Sequence, residues 1–253
     1  MIKFLTSDIG ASKKVDGVRI VSNLNNTNHF VDNLKKYISE GKNFVFIASN
    51  PTTYTINDSY AGLTFESFNI SGFKFENLQI VDERTDSDLE RIIKSASIVF
   101  LAGGNTLNQM EYFNRINLSK ILKKYTKIII GQSAGALNLA TEVYCSPEDE
   151  DELEEKRYFK GLGLTNINIE PHFKNSPHFG EENILEKTLL EDSKNKPFIA
   201  ITDGSYIIDN ESSQTLYGEG YLFTNGSYSQ ICKDGQALDV TNLLTSTQQE
   251  KSF

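Results

Sequence analysis

Residues 127–140 read KIIIGQSAGALNLA, and the parsing of that stretch decides the fold. Ile128, Ile129 and Ile130 make a short continuous apolar run, as expected of a strand buried on both faces. Ala134, Ala136, Leu137, Leu139 and Ala140 then read as the start of a helix. Between them, Gly131-Gln132-Ser133-Ala134-Gly135 is a G-x-S-x-G sequence in the strand, turn, helix setting that gives the pattern its meaning. A strand that turns abruptly into a helix leaves its corner residue little room, and glycine two positions to either side removes side chains that would collide there. Ser133 is therefore expected at the carboxyl end of a strand. Its hydroxyl would lie at a helix N-terminus, where the dipole and open N–H groups favour developing negative charge. An ordinary turn capped by a serine fits the same residues, so the flanking chain has to separate the two.

Upstream, residues 2–6, 43–49 and 98–102 are short apolar strands, and Leu78, Ile80 and Val81 mark another. Helical spacing covers Phe30, Leu34, Tyr37 and Ile38, then residues 58–68 and 86–95, then segments around Leu107 and Met110 and around Leu118, Ile121 and Leu122. Residues 8–26 are polar and loop-like apart from Val18, Ile20 and Val21. Downstream, residues 147–156 form an acidic run expected to be a solvated loop or exposed helix. Residues 164–170 alternate as a half-buried strand, Ile184, Leu185, Leu189 and Leu190 continue a helix that Pro197 stops, and residues 198–202 are a further buried strand. Gly218, Gly220, Asn225-Gly226 and Asp234-Gly235 then punctuate short apolar runs as β-hairpins. Strands alternating with helices imply parallel crossovers. The expected fold is α/β, a mostly parallel central sheet with helices on both faces, in a single domain over residues 1–253 whose part from about 211 onward is β-rich.

A chain of 253 residues can bury a substantial core, and its formal net charge of -9 would repel a polyanion, so no nucleic acid is expected as partner. Cys145 and Cys232 lie far apart without a C-x-x-C partner, which predicts neither a disulfide framework nor a zinc site and suits a reducing compartment. The opening MIKFLTSDIG enters a strand at once, without the apolar core and cleavage site of a leader, and no later run approaches the roughly 18 apolar residues of a membrane span. A cytoplasmic protein with no membrane association is the expectation, with a homodimer left open.

In a parallel sheet of this kind ligands gather beyond the carboxyl ends of the strands, where Ser133 and the Gly103-Gly104 turn both fall. The N–H of Gly103 or Gly104, with that of Ala134, could form an oxyanion hole, although Asn105 or Thr106 could equally cap a helix there. Gln132 and Asn105, on the two turns, are the expected substrate contacts. A serine hydroxyl needs a base, and the chain has three histidines. His29 lies on or near a surface helix and His178 follows Ser176-Pro177 in a loop, whereas His172 comes straight after a strand at what should be the edge that carries Ser133. Asp203, after the buried strand at 198–202 and before Gly204, is placed to orient that histidine. The order Ser133, His172, Asp203 differs from the Ser, Asp, His order of α/β-hydrolases, which would have to recruit Asp149 or Asp151.

The runs Leu101-Ala102-Gly103-Gly104-Asn105-Thr106, Gly131-Gln132-Ser133-Ala134-Gly135-Ala136 and Glu170-Pro171-His172-Phe173 together resemble the peptidase E family of serine peptidases, family S51. Through that family the chain also resembles the cyanophycinases and, in fold, the class I glutamine amidotransferases and flavodoxin-like sheets. The resemblance implies Ser133 as nucleophile, His172 as base and no metal or organic cofactor. It also implies an acidic residue at Asp203, where the family often has glutamate. The implied reaction is hydrolysis of short peptides through an acyl-enzyme. The aspartyl dipeptidases of the family hold an acidic substrate side chain with an arginine after the histidine motif. Here no arginine follows Arg157, which leaves Lys174, Lys187 or an arginine from elsewhere. A non-catalytic ligand-binding relative, and a cyanophycinase-like or esterase hydrolase, are the alternatives.

Overall fold

The computed structural model describes residues 1–38, 42–147, 157–173 and 184–244. In chain order the first half comprises β1 (Ile2–Thr6), β2 (Ser12–Val15), β3 (Val18–Val21), α1 (Phe30–Lys35), β4 (Asn43–Ile47), α2 (Tyr54–Ile70), β5 (Asn77–Val81), α3 (Leu89–Ser95) and β6 (Ile98–Leu101). Then come α4 (Thr106–Arg115), α5 (Leu118–Leu122), β7 (Ile128–Gln132), α6 (Ala134–Leu137), β8 (Glu142–Tyr144), β9 (Tyr158–Lys160), β10 (Ile169–Glu170), α7 (Ile184–Asp192), β11 (Phe198–Ile201), β12 (Tyr206–Asp209), β13 (Gln214–Tyr217), β14 (Gly220–Thr224), β15 (Ser227–Cys232) and β16 (Ala237–Asp239).

The central sheet has eight strands in the order β16-β13-β12-β1-β7-β6-β4-β5. The five strands from β1 to β5 in that order run parallel, and β12, β13 and β16 extend one edge antiparallel. Side chains alternate across it with the period of two that a pleated strand imposes. Phe44, Phe46, Ile98, Phe100, Ile128 and Ile130 point into one core with α1 and α2, while Val45, Ile47, Val99, Leu101 and Ile129 point into the other with α3, α4 and α5. The continuous apolar runs of the sequence are thus strands covered on both faces. The first core is largely aromatic, with Phe44 edge-on to Phe68 and Phe75 at ring-centroid distances of 4.9 and 5.3 Å.

A second sheet, β10-β11-β14-β15, was not legible in the sequence. Ile169, Ile199 and Ile201 share the core that holds Ile129 and Leu101, whereas Phe198, Ala200 and Phe223 form a third cluster with Leu189 of α7. The strand at 198–202 therefore belongs to this sheet, and the chain returns to the central sheet only at β12, after Thr202-Asp203-Gly204-Ser205. The hairpins beyond residue 211 are woven into both sheets, β13 and β16 into the central one and β14 and β15 into the second. Residues 162–168 are irregular instead of strand, because their polar groups are spent on neighbours: the Thr165 carbonyl accepts from Thr141 N–H at 2.8 Å and Asn168 Oδ1 from Tyr144 N–H at 3.0 Å. No helix among the described residues is long and apolar enough to cross a membrane.

Candidate active site

Ser133 follows β7 with φ 51° and ψ −118°, a conformation that L-residues seldom adopt outside constrained sites. The flanking glycines make it feasible. A Cβ on Gly131 would lie 2.6 Å from the carbonyl oxygen of Gly135 and 2.7 Å from Ala136, and one on Gly135 would overlap the backbone carbonyl of Leu101 in β6. The turn is thus clamped between its own helix and the neighbouring strand. Since α6 is a single turn, the electrostatic advantage at Ser133 lies in individual N–H groups more than in a summed helix dipole. The N–H groups of Gly103, Gly104 and Ala134 have no acceptor among the described residues. Gly103 lies against the serine, its hypothetical Cβ 3.4 Å from Ser133 Cβ. Gly104 has φ +150° and faces the Ser49 side chain so closely that a Cβ there would overlap it.

His172 and Asp203 do converge on Ser133, but they arrive from the second sheet and not from the edge of the central one. They follow β10 and β11, which pair in parallel and place the two residues side by side. His172 Nε2 is 3.0 Å from Ser133 Oγ, and His172 Nδ1 is 2.6 Å from Asp203 Oδ1. A carboxylate can only accept, so Nδ1 carries the proton and Nε2 is left to accept from the serine hydroxyl. Ser7, just beyond β1, ties the group together. Its hydroxyl donates to Asp203 Oδ1 at 2.6 Å and accepts the His172 backbone N–H at 2.9 Å, and Asp8 N–H donates to the same carboxylate oxygen at 3.3 Å. His172 itself has φ +58°, and the Ser7 contact holds it in that uncommon conformation. Burial of the imidazole opposes its protonation, yet the hydrogen bond and charge of Asp203, with the charges of Asp8 and Glu170, outweigh it and raise the His172 pKa above the ordinary value.

These residues open onto a cavity of about 530 Å³ at the carboxyl ends of β1, β4, β6 and β7, whose lining includes Ser133, His172, Gly103, Gly104 and Gln132. Asn105, expected on substrate, does not line it. Its side-chain oxygen caps α4 by accepting from Asn108 N–H at 2.9 Å. His29 is exposed and pairs with Asp32 at 3.4 Å. His178, Asp149, Asp151, Lys174 and residues 148–156 of the acidic run lie outside the described residues, and Lys187, on α7, is not among the cavity residues. The sequence reading missed Ser7, Asp8, Ser49 and Arg19, all of which line the cavity or the relay. Arg19 belongs to the β2–β3 hairpin in the stretch read as loop. Asp16-Gly17 between Val15 and Val18 was the available signal, and φ of 48° and 83° at those two residues is the tight hairpin turn this dipeptide favours.

The profile of Peptidase family S51 matches residues 20–216. Peptidase E of Shewanella putrefaciens is 27% identical over 232 residues, covering 85% of this chain and 91% of that protein. Peptidase E of Shewanella denitrificans is 25% identical over 206 residues, covering 77% of this chain and 83% of that protein. Among solved structures, a peptidase from an acI-B1 Actinobacterium superposes with a TM-score of 0.67 at 17% identity, over 94% of this chain and 96% of that one, which is a likeness of fold.

Proposed function

We propose, for a chain that belongs to peptidase family S51 and is a serine-type peptidase, that Ser133 is the nucleophile, His172 the general base and Asp203 the residue that orients and charges that base. The observation that carries this reading is the unbroken relay from Ser133 Oγ to His172 Nε2 at 3.0 Å and from His172 Nδ1 to Asp203 at 2.6 Å, opening on the cavity. Nε2 takes the serine proton as Oγ attacks the peptide carbonyl. The N–H groups of Ala134 and of Gly103 or Gly104 receive the oxyanion. The imidazolium, steadied by Asp203, then protonates the leaving amine, and a water activated by the same Nε2 releases the acyl group. A volume of about 530 Å³ suits a ligand of a few residues, which supports short peptides as substrates.

Ser133→Ala tests the assignment. Peptide hydrolysis should fall by roughly four orders of magnitude or more, as for other triad serines, and labelling by a fluorophosphonate should vanish, while the thermal unfolding profile stays in place. Turnover that survives this substitution would remove Ser133 from the mechanism.

A further inference from the structure

We infer that Gln109 is a positioning residue for the oxyanion hole: by holding the Ala102 carbonyl it aims the Gly103 N–H at Ser133, and Asn138 sets the orientation of its amide. This rests on the catalytic reading of Ser133. A peptide unit is planar and trans, so the carbonyl of one residue and the N–H of the next point in opposite directions, and whatever holds the carbonyl aims the N–H. For Ala134 the matching carbonyl is that of Ser133, which accepts from the N–H groups of Ala136 at 2.8 Å and Leu137 at 3.0 Å. Backbone alone therefore fixes that donor. For Gly103 the matching carbonyl is that of Ala102, and it accepts from Gln109 Nε2 at 2.7 Å. A single side chain fixes the second donor. The Gly103 carbonyl, which would aim the N–H of Gly104, accepts no hydrogen bond among the described residues. Of the two glycines, Gly103 is thus the one whose N–H is held, and it is the one that lies against Ser133.

Packing alone does not ask for an amide at this position. Gln109 is fully buried on α4, with Met110 and Phe113 of the central core beside it along the helix. A buried amide is costly unless both its ends are bonded, and here they are. Gln109 Oε1 accepts from Asn138 Nδ2 at 3.0 Å, and the same Nδ2 donates to the Thr106 carbonyl at 3.0 Å. Carbonyl oxygens only accept, which sets the direction of the whole link: the Thr106 carbonyl draws Asn138 Nδ2, whose second hydrogen takes Gln109 Oε1 and leaves Gln109 Nε2 for Ala102. Asn138, also fully buried, caps the end of α6, the helix that begins at Ala134. The link from Ala102 through Gln109 to Asn138 therefore ties the turn that carries one oxyanion donor to the helix that carries the other. An amide that merely satisfied a strand-end carbonyl would explain the first bond and not the second. Nor would it explain Asn138 Oδ1, which is buried without a partner among the described residues. Gln109 is not among the cavity residues, so it acts through Gly103.

Gln109→Met keeps the length and volume of the side chain and removes the donor. With a dipeptide that the wild type hydrolyses, kcat should fall about tenfold or more while KM stays within about twofold, because the oxyanion forms only as the transition state is reached. Fluorophosphonate labelling should slow by the same factor, and the acid limb of the pH profile, set by His172, should stay in place. Calorimetric binding of the same dipeptide to Ser133→Ala should be equal with and without Gln109→Met. Since a buried substitution can unfold a protein, a second measurement uses the wild type. Labelling with carbonyl-13C alanine and 15N glycine isolates the three Ala-Gly amides of the chain, those of Gly62, Gly103 and Gly135. On phosphonylation of Ser133 the Gly103 signal should move downfield as its N–H takes the phosphonyl oxygen, while Gly62, on α2, stays in place. A labelled, active wild type whose Gly103 amide does not move, or a folded Gln109→Met with unchanged kcat, would overturn the inference and spare the catalytic reading. A wild-type protein that neither hydrolyses dipeptides nor takes the label would overturn both.

Discussion

At residue scale the electrostatics of the candidate site centre on His172. Its raised pKa has a sign that matters: the proposed role as base needs Nε2 unprotonated, so the acid limb of kcat/KM should lie above the ordinary imidazole value of 6.5, with activity lost as pH falls through it. The same shift means that the charged His172–Asp203 pair adds to folding stability at low pH, fully below the unfolded-state value, and that this addition fades as pH rises through the folded-state value. Ser7 tempers the relay by donating to Asp203 Oδ1. In Ser7→Ala the carboxylate keeps more of its charge, so the acid limb should move to still higher pH while kcat falls more than KM changes; Ser7→Thr, which restores a hydroxyl, should move it back. A pH profile of kcat/KM for the three proteins decides this. A drop in activity with no shift of the limb would leave Ser7 only the structural task of accepting the His172 N–H.

At the scale of elements, the β7–α6 turn depends on two glycines for different neighbours. Gly135 abuts the Leu101 carbonyl of β6, which is backbone in a central strand and has nowhere to go. Gly135→Ala should therefore cost about 1–3 kcal/mol, as overpacking of a filled core does, and should tilt the serine away from His172. Urea unfolding should show the loss, and fluorophosphonate labelling should slow by more than the stability change explains. Gly131-Gln132-Ser133-Ala134-Gly135 announced this turn in the sequence because the collision it avoids is local, within a few residues of chain. The β2–β3 hairpin was equally local but read as loop, since its strands are short and largely exposed and the alternation of Val18, Arg19 and Ile20 is too brief to mark a strand. The dependence of that segment on Asp16-Gly17 was the clue that periodicity alone passed over.

For the whole molecule, the decisive feature is that two sheets share one core. Ile201, fully buried, packs with Ile129 and Leu101 from the central sheet, and Asp203 lies two residues beyond it. Ile201→Ala should cost about 2–5 kcal/mol. The unfolding transition followed by far-UV circular dichroism should coincide with loss of phosphonate labelling, because His172 and Asp203 cannot leave Ser133 without opening that core. Two separated transitions would show the second sheet unfolding by itself. The sequence by itself determined the parallel strands, the serine turn and the glycine pair around it, and it singled out His172 and Asp203 as candidate partners of Ser133, since each depends on steric or periodic rules acting over a few residues. It could not determine that His172 and Asp203 reach Ser133 from a second sheet, that Ser7 binds them together, or that Arg19 enters the cavity from a hairpin. Those relations join residues separated by 39 to 196 positions. Only the packing of Ile169, Ile199 and Ile201 into the central core sets such distances, and no local pattern encodes them.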